Sequence, residues 1–376
     1  TAFLKTYYKE DFIAATMSTE LNSTSKLREF VEELKRLKIE VVRPCINNCF
    51  AEFKADKNKI FYALSAIKNV GFEAISNIVE ERKKNGRFNS IIDFIKRVKP
   101  KDVNKLQLEG LVKAGAFDSL DENRAKLFHS IPKIILSIKN IYEEKISNQS
   151  NLFGDTEDNS NKIFEFENKV MWTKKEILSE EFTSLGFYIS DHPLNEYKDL
   201  FSQLKIKSYK DFIEGNENES LVAGTIMSIQ EKKSSKGTPF SIIKFSDNSG
   251  EYEIFLFSEL LISNRDRLKE SNSFILTLQK DKFSENSISP RINVRKVLDL
   301  SELINKSYKK VSIELKDNYN LEDLKSILKE EGETQINILV KDKNKTLAFQ
   351  LERTRKFDFN IFNDIKSKQY VKKISF

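Results

Sequence analysis

Few residues of this 376-residue chain have a type and spacing suited to covalent chemistry. The two histidines, His129 and His192, lie far apart, and neither sits in a pattern that would pair it with a nucleophile. Cys45 and Cys49 form a C-x3-C pair, but tetrahedral zinc needs a second ligand pair and none is spaced for it. There is no Gly-x-x-x-x-Gly-Lys-Ser/Thr phosphate loop. Asp and Glu are plentiful, yet no trio is placed on adjacent strands as two-metal phosphoryl transfer requires. No catalytic residue, metal ligand or cofactor is therefore assigned within the chain. What remains is the chemistry of recognition, and it gathers in a short glycine-bearing segment able to cradle a phosphate.

That segment is Ala66–Ile67–Lys68–Asn69–Val70–Gly71–Phe72–Glu73–Ala74–Ile75. A helix runs into a tight turn ending in Gly, and a second helix leaves with Ile75, Ile78 and Val79 inward and stops at Asn85–Gly86. This is the pattern of a helix-hairpin-helix. Gly in the hairpin permits positive φ and lets backbone approach a phosphate, which the free N–H groups of the second helix then bind. Lys68, Asn69, Val70 and Gly71 would form that turn, and Arg82, Lys83, Lys84 and Arg87 would add salt-sensitive attraction. A second unit follows, with a helix near Val103–Lys113, a turn at Ala114–Gly115–Ala116–Phe117, and a helix capped around Asp118 or Ser119. Gly115 is its counterpart of the first hairpin glycine. An ordinary helical hairpin uses Gly for the same steric reason. The tandem copy and the local charge favour DNA.

The charge is unevenly spread. Sixty-three basic and 57 acidic residues leave a formal net of +6, yet residues 54–117 alone hold 14 basic against 7 acidic, and residues 118–219 hold 13 against 20. One segment thus carries net +7 and the next net −7, an asymmetry expected of a nucleic-acid face beside a region turned to something else. A lysine-rich composition used for solubility would also raise the total. A hydrophobic fraction of 39% excludes wholesale disorder, and charges interrupt every apolar run before the ~20 residues a bilayer span needs. Two cysteines cannot build a disulfide framework and no signal peptide opens the chain, so the expected compartment is the cytoplasm. The first residue is Thr1, not Met, which is expected of a piece of a longer protein.

The elements that must position these residues read as a multidomain α + β chain in five segments. Residues 1–53 are helical, with an apolar stripe of Phe3, Leu4, Tyr7, Tyr8, Phe12 and Ala15 over 3–20. A second helix spans about Ser25–Lys38 on Leu27, Phe30, Val31, Leu34 and Leu37, capped by Thr24 or Ser25. Residues 54–145 hold the two hairpins. Residues 146–219 are a linker and helical connector, polar and acidic at first, in which Gln149 precedes Leu152 and Phe153. Peptides of that form insert Leu and Phe into a partner's pocket while Gln binds backbone, although the pair would equally serve as a local anchor on its own domain. Residues 220–300 alternate with strand period: five strands with a helix between the third and fourth, the order of an OB-fold β-barrel. Such a barrel binds single strands by stacking and a basic groove, with Lys232, Lys233, Lys236, Phe240, Lys244, Lys280, Lys282, Arg291 and Arg295 as candidate contacts; about half of its aromatics should instead fill the core. Residues 301–376 read as strand, helix, hairpin, helix, strand, a small α+β module without a chemical motif.

Four local stretches carry a family resemblance. Thr1–Tyr8 with Phe12–Glu20, then Phe61–Gly71 with Arg87–Phe94 and Lys113–Leu120, then Leu185–Tyr197 (LGFYISDHPLNEY), then Val222–Gly224 through Gly237–Phe240 follow in order. Together they resemble the C-terminal part of the bacterial DNA polymerase III alpha subunits, over essentially the whole chain and least after residue 300. The resemblance implies that residues 1–53 end a fingers region and that the hairpins hold duplex DNA. Gln149, Leu152 and Phe153 fall where the family carries its β sliding-clamp motif. The barrel would meet template single strand, and residues 301–376 would meet the clamp-loader tau subunit. The palm, with its metal-binding aspartates and Mg2+, would lie upstream of Thr1, so this piece alone is expected to be inactive. Asn69 stands where the family's hairpin has Gly, Ala63 replaces a Gly before Leu64, and Cys45 replaces an acidic residue. Asn tolerates positive φ next best after Gly, so the turn should survive. Two other readings fit part of the pattern: a stand-alone, non-enzymatic single-strand-binding scaffold, and an OB module appended to another enzyme such as a tRNA synthetase. The appended module accounts for neither the hairpins nor LGFYISDHPL; the stand-alone scaffold stays open and is told apart by whether the reading frame continues upstream of Thr1 with paired Asp motifs.

Overall fold

The computed structural model describes residues 2–147, 166–235, 237–281, 291–304, 308–316, 319–342 and 345–376. They divide into two compact units, Thr1–Pro193 and Leu194–Phe376. The whole is mixed α and β, with several separate sheets.

The first unit opens with α1 (Ala2–Tyr7), α2 (Lys9–Thr19) and α3 (Thr24–Arg36). The single helix expected over 3–20 is broken at Tyr8, whose φ of −135° and ψ of 55° leave the helical region. Its core face is Ile13, Ala14 and Met17, while Phe3, Tyr7 and Tyr8 stand exposed, Phe3 4.7 Å from Tyr7 between ring centroids. Periodicity identifies residues that share a face but not which face is covered. Helix α3 buries Leu27, Val31 and Leu34 as expected, but it follows Ser23, which makes no capping bond, so neither Thr24 nor Ser25 is the cap.

Strands β1 (Glu40–Val42), β2 (Lys54–Asp56) and β3 (Lys59–Phe61) form a small sheet in the order β1-β3-β2, with β3 parallel to β1. Five helices follow: α4 (Phe72–Asn85), α5 (Ile91–Arg97), α6 (Lys105–Lys113), α7 (Arg124–Ser147) and α8 (Lys174–Leu185). Ser90 caps α5 and Asn104 caps α6, each through its side chain, and Thr173 with Glu176 closes a capping box on α8. Gly86, at φ 82°, ends α4 where the sequence placed the stop. Gly186, at φ 83°, ends α8, and an added Cβ there would lie 2.2 Å from Thr24 Cγ2, so no side chain fits. The buried Glu181 carboxylate accepts the N–H groups of Ile189 (2.7 Å) and Ser190 (2.9 Å), fixing the turn that begins the LGFYISDHPL stretch.

In the second unit the short helices α9 (Lys198–Gln203) and α10 (Tyr209–Glu214) precede a five-stranded antiparallel sheet. Its strands are β4 (Glu219–Lys233), β5 (Pro239–Asp247), β6 (Gly250–Phe257), β7 (Ser273–Lys280) and β8 (Ile292–Asp299), ordered β6-β5-β4-β7-β8, with α11 (Ser258–Asn264) between β6 and β7. A closed barrel is expected from the sequence. Among the described residues the sheet is open: β6 and β8 approach each other, but no ladder joins them. Helix α11 leans on β5, β6 and β8, and the core between is built from Val222, Ile243, Phe245, Ile254, Phe274 and Leu276. Tyr252 stacks on Tyr209 at 4.0 Å and donates its hydroxyl to Ala223 O (3.2 Å), so a Cβ on Gly224 would collide with it at 2.3 Å.

After α12 (Leu300–Ile304), the last module comprises β9 (Lys310–Leu315), α13 (Leu321–Ile327), β10 (Glu331–Asp342), β11 (Lys345–Gln350), α14 (Phe359–Ser367) and β12 (Val371–Ser375). The sheet order is β11-β10-β9-β12, with β9 and β10 parallel across the α13 crossover. Val311, Ile313, Ile336, Phe362 and Ile365 fill its core.

Candidate nucleic-acid interface

The first hairpin is set from below by an aromatic base. Tyr62, directly after β3, is fully buried with its ring edge-on to Phe53 at 5.0 Å, and burial pushes its hydroxyl well above the ordinary phenol range. The half-motif that follows is one 3-10 turn at Leu64–Ala66, where the sequence had suggested a full helix. Strand β3 ends only three residues earlier, which leaves no room for one. Ile67 and Val70 turn inward, and the Val70 N–H donates to Ile67 O (3.1 Å), closing a four-residue turn. Asn69 occupies the third position at φ 65°, where such a turn requires the left-handed region. Gly71 itself is extended (φ −80°, ψ 139°) and serves as the cap residue of α4 without any side-chain bond. The conformational demand therefore falls on Asn69, and Gly71 contributes bare space before uncapped helix N–H groups.

Two neighbours hold this tip in place. The Lys68 N–H donates to Ser184 O at the end of α8 (3.0 Å). Gly110 on α6 lies under the turn, where an added Cβ would be 2.7 Å from Lys68 O and 3.3 Å from Val70 Cγ2. Lys68 and Asn69 are left exposed on top.

The basic residues of α4 are not at this tip. At ~1.5 Å per residue, Lys83 and Lys84 lie roughly 20 Å away along the helix, exposed at its far end, with exposed Arg87 two residues past it. Arg82 is a correction. It is 7% exposed, donates to Ile46 O and stacks over Phe50 at 5.3 Å, so its charge is bound inside the fold and unavailable to a phosphate. Its position one residue before Lys83 gave no hint of this, since a 100° step separates the two directions. Sequence reasoning missed Lys101 and Lys105, both exposed. Asn77 donates to Asp102 (2.7 Å), seating the 3-10 turn Pro100–Asp102 on α4, and Gln107 reaches to within 3.5 Å of a Cβ built on Gly71, which brings the start of α6 to the tip.

The second hairpin also departs from expectation. Gly115 has φ 76°, but the next helix, α7, begins at Arg124 and not at Asp118 or Ser119. The nearly buried Arg124 guanidinium forks onto both Asp118 oxygens (2.8 and 2.6 Å), donates to Lys113 O (3.1 Å), and lies 2.1 Å from where a Gly115 Cβ would be. An internal cation thus fills the space that a phosphate would need.

On the five-stranded sheet the alternation buries Ile243 and Phe245 with Tyr252, Ile254 and Leu256. The opposite face pairs Phe240 with Phe257, Ile242 with Phe255 and Lys244 with Glu253. Phe255 and Phe257 are exposed, Phe240 lies 6.2 Å from Phe257, and Arg291 sits over Phe257 at 5.9 Å. Of the basic residues proposed here, Lys232 and Lys233 are exposed on β4, and Arg295 is exposed but bonded to Gln279. Lys280 is a correction: its ammonium caps the end of α10 through Ile213 O (3.1 Å) and Gly215 O (2.6 Å) over the Phe212 ring. Lys244 is paired with Glu251 at 2.9 Å. Phe255 and Phe257 were legible as the outward phase of β6 and were overlooked. Lys236, Lys282 and the Gln149, Leu152 and Phe153 set lie outside the described residues.

Among the described residues no group of three His, Cys, Asp or Glu is placed to hold a metal ion, and no helix is long and apolar enough to cross a membrane. Cys45 is half-buried, and burial pushes the Cys49 thiol up to about 12.

The geometry around the tip is that of a helix-hairpin-helix chain, and residues 38–127 match the family model described as a helix-hairpin-helix motif. Beyond that segment, the chain is 35% identical over 337 residues to the DNA polymerase III subunit alpha of Borreliella burgdorferi, covering 86% of this chain and 28% of that protein. The Caulobacter vibrioides subunit is 32% identical over 283 residues, 74% of this chain and 24% of the relative. The Helicobacter pylori subunit is 29% identical over 403 residues, 93% of this chain and 32% of the relative. The chain is homologous to bacterial DNA polymerase III alpha subunits over most of its own length, and it spans about a quarter to a third of the curated relatives it matches.

Proposed function

We propose that this chain is a DNA-holding part of a replicative DNA polymerase of the DNA polymerase III alpha type. The observation that carries the proposal is the tip: Asn69 in the left-handed region, Gly71 without a side chain, and an uncapped α4 N-terminus flanked by Lys68 and Lys105. Backbone N–H groups and helix dipole there suit a phosphate of duplex DNA. Lys83, Lys84 and Arg87 would meet the backbone about six base pairs further on, given ~3.4 Å per step. The five-stranded sheet, with its OB-like strand order, is read as an OB-fold whose Phe240, Phe255 and Phe257 stack single-stranded bases while Arg291, Arg295, Lys232 and Lys233 attract the backbone. Gln149, Leu152 and Phe153 are proposed to bind a β sliding clamp, and residues 301–376 a clamp-loader tau subunit. Nucleotidyl transfer and its Mg2+ belong, in this reading, to a palm outside these residues.

The test is duplex binding by fluorescence anisotropy across a salt series. Binding should weaken linearly on a log–log plot, and reversing Lys68 and Lys105 to Glu should reduce the slope by about 2. An unchanged slope would place the DNA face elsewhere. In parallel, Leu152→Ala with Phe153→Ala should abolish binding to a β-type clamp, since apolar anchors dominate such peptides.

A further inference from the structure

We propose that Phe72 and Leu106 form an apolar wedge that enters the minor groove of duplex DNA at the hairpin tip and parts a base step there. The inference rests on the duplex-binding reading above and names a contact which that reading does not include. Phe72, the first residue of α4, is 47% exposed, and Leu106, the second residue of α6, is 56% exposed. Both helices have complete inner faces without them: Ile75, Ile78 and Val79 on α4, and Leu108, Leu111 and Val112 on α6. Neither side chain is therefore needed by the core. The approach of Gln107 to Gly71 brings the two helix starts together, so each contributes one large apolar group to the same end of the unit.

The surroundings select the occupant. Lys68, Lys99, Lys101 and Lys105 are exposed on the segments that flank the two apolar residues and outnumber the exposed Glu73 beside Phe72; among the described residues only Lys105 of the four is in an ion pair, with Glu109 at 3.8 Å. An apolar pair flanked by exposed cations suits a polyanion with an apolar interior, which is a description of stacked bases behind two phosphate backbones. The minor groove, ~6 Å wide, is too narrow for a helix but admits single side chains, and Phe and Leu are among the residues that unstack a step from that side. The lysines would meet the two strands bordering the groove.

The test uses the full chain with duplex DNA carrying 2-aminopurine, whose emission rises when the base is unstacked. Wild-type chain should raise the emission on binding. Phe72→Ala with Leu106→Ala should bind about tenfold more weakly, lose the rise, and keep the same salt slope, because no phosphate contact is removed. Phe72→Leu should retain most of both signals, which separates wedging from a general loss of fold. Wild-type binding without any rise, or a double alanine variant that binds as tightly as wild type, would overturn the wedge while leaving duplex binding intact. Failure of the wild-type chain to bind duplex at all would overturn the parent reading and the wedge together.

Discussion

Asn69 shows how one side chain is selected by backbone geometry and used for something else. At φ 65° a β-branched residue is strained, Asn is tolerated, and Gly is free. Asn69→Gly should therefore leave stability within about 1 kcal/mol of wild type, while Asn69→Val should lose roughly 1–2 kcal/mol in urea unfolding and weaken duplex binding by tilting the tip. Equal stability of the two variants would mean that the turn relaxes. Arg82 teaches the complementary lesson. In the sequence it stands in a run with Lys83 and Lys84, yet it serves the interior through Ile46 O and Phe50. Whether an Arg faces a ligand or a neighbouring carbonyl depends on where a distant loop passes, and Ile46 is 36 residues away in sequence. The same holds for Lys280, whose partners lie 65 and 67 residues away.

Between elements, the decisive contact is α6 against the hairpin. Gly110 is placed so that any side chain would press on Lys68 O, a backbone atom that cannot step aside. Gly110→Ala should cost about 1–3 kcal/mol by overpacking and should also weaken duplex binding, whereas Gly86→Ala, with nothing within 4 Å but φ at 82°, should lose stability alone. If both variants bind DNA as wild type does, the tip is not held by α6. The element order was largely legible: strand period over 220–298, the two-residue turn between Asp247 and Gly250, and the α4 stop all follow from local rules. The first half of the hairpin, the break at Tyr8 and the late start of α7 were not. The late start of α7 goes with the Asp118–Arg124 pair, whose side chains bridge the loop before it and leave no mark in the local pattern.

At the scale of the molecule, the net +7 segment lies wholly in the first unit and holds β2, β3, α4, α5 and α6, while the net −7 segment follows it through the linker and connector and runs into the second unit. The second unit has its own buried clusters in the five-stranded sheet and in the terminal module. Residues 194–376 expressed alone should therefore unfold cooperatively, with a sigmoidal thermal transition by circular dichroism and retained strand signal. A featureless melt would show that this unit needs the first to fold. Thiol labelling offers a check on the other unit. At pH 8 the native chain should react at Cys45 while Cys49 stays protected, and both should react in denaturant.

The missing ladder between β6 and β8 has a kinetic consequence. Because no ladder crosses that seam among the described residues, widening it breaks no ladder hydrogen bond. On the single-strand reading proposed above, such a seam would let the five-stranded sheet loosen and regrip without unzipping a strand. On the same reading, a strand stacked on Phe255 and Phe257 would be held and released at the pace of side-chain rearrangement.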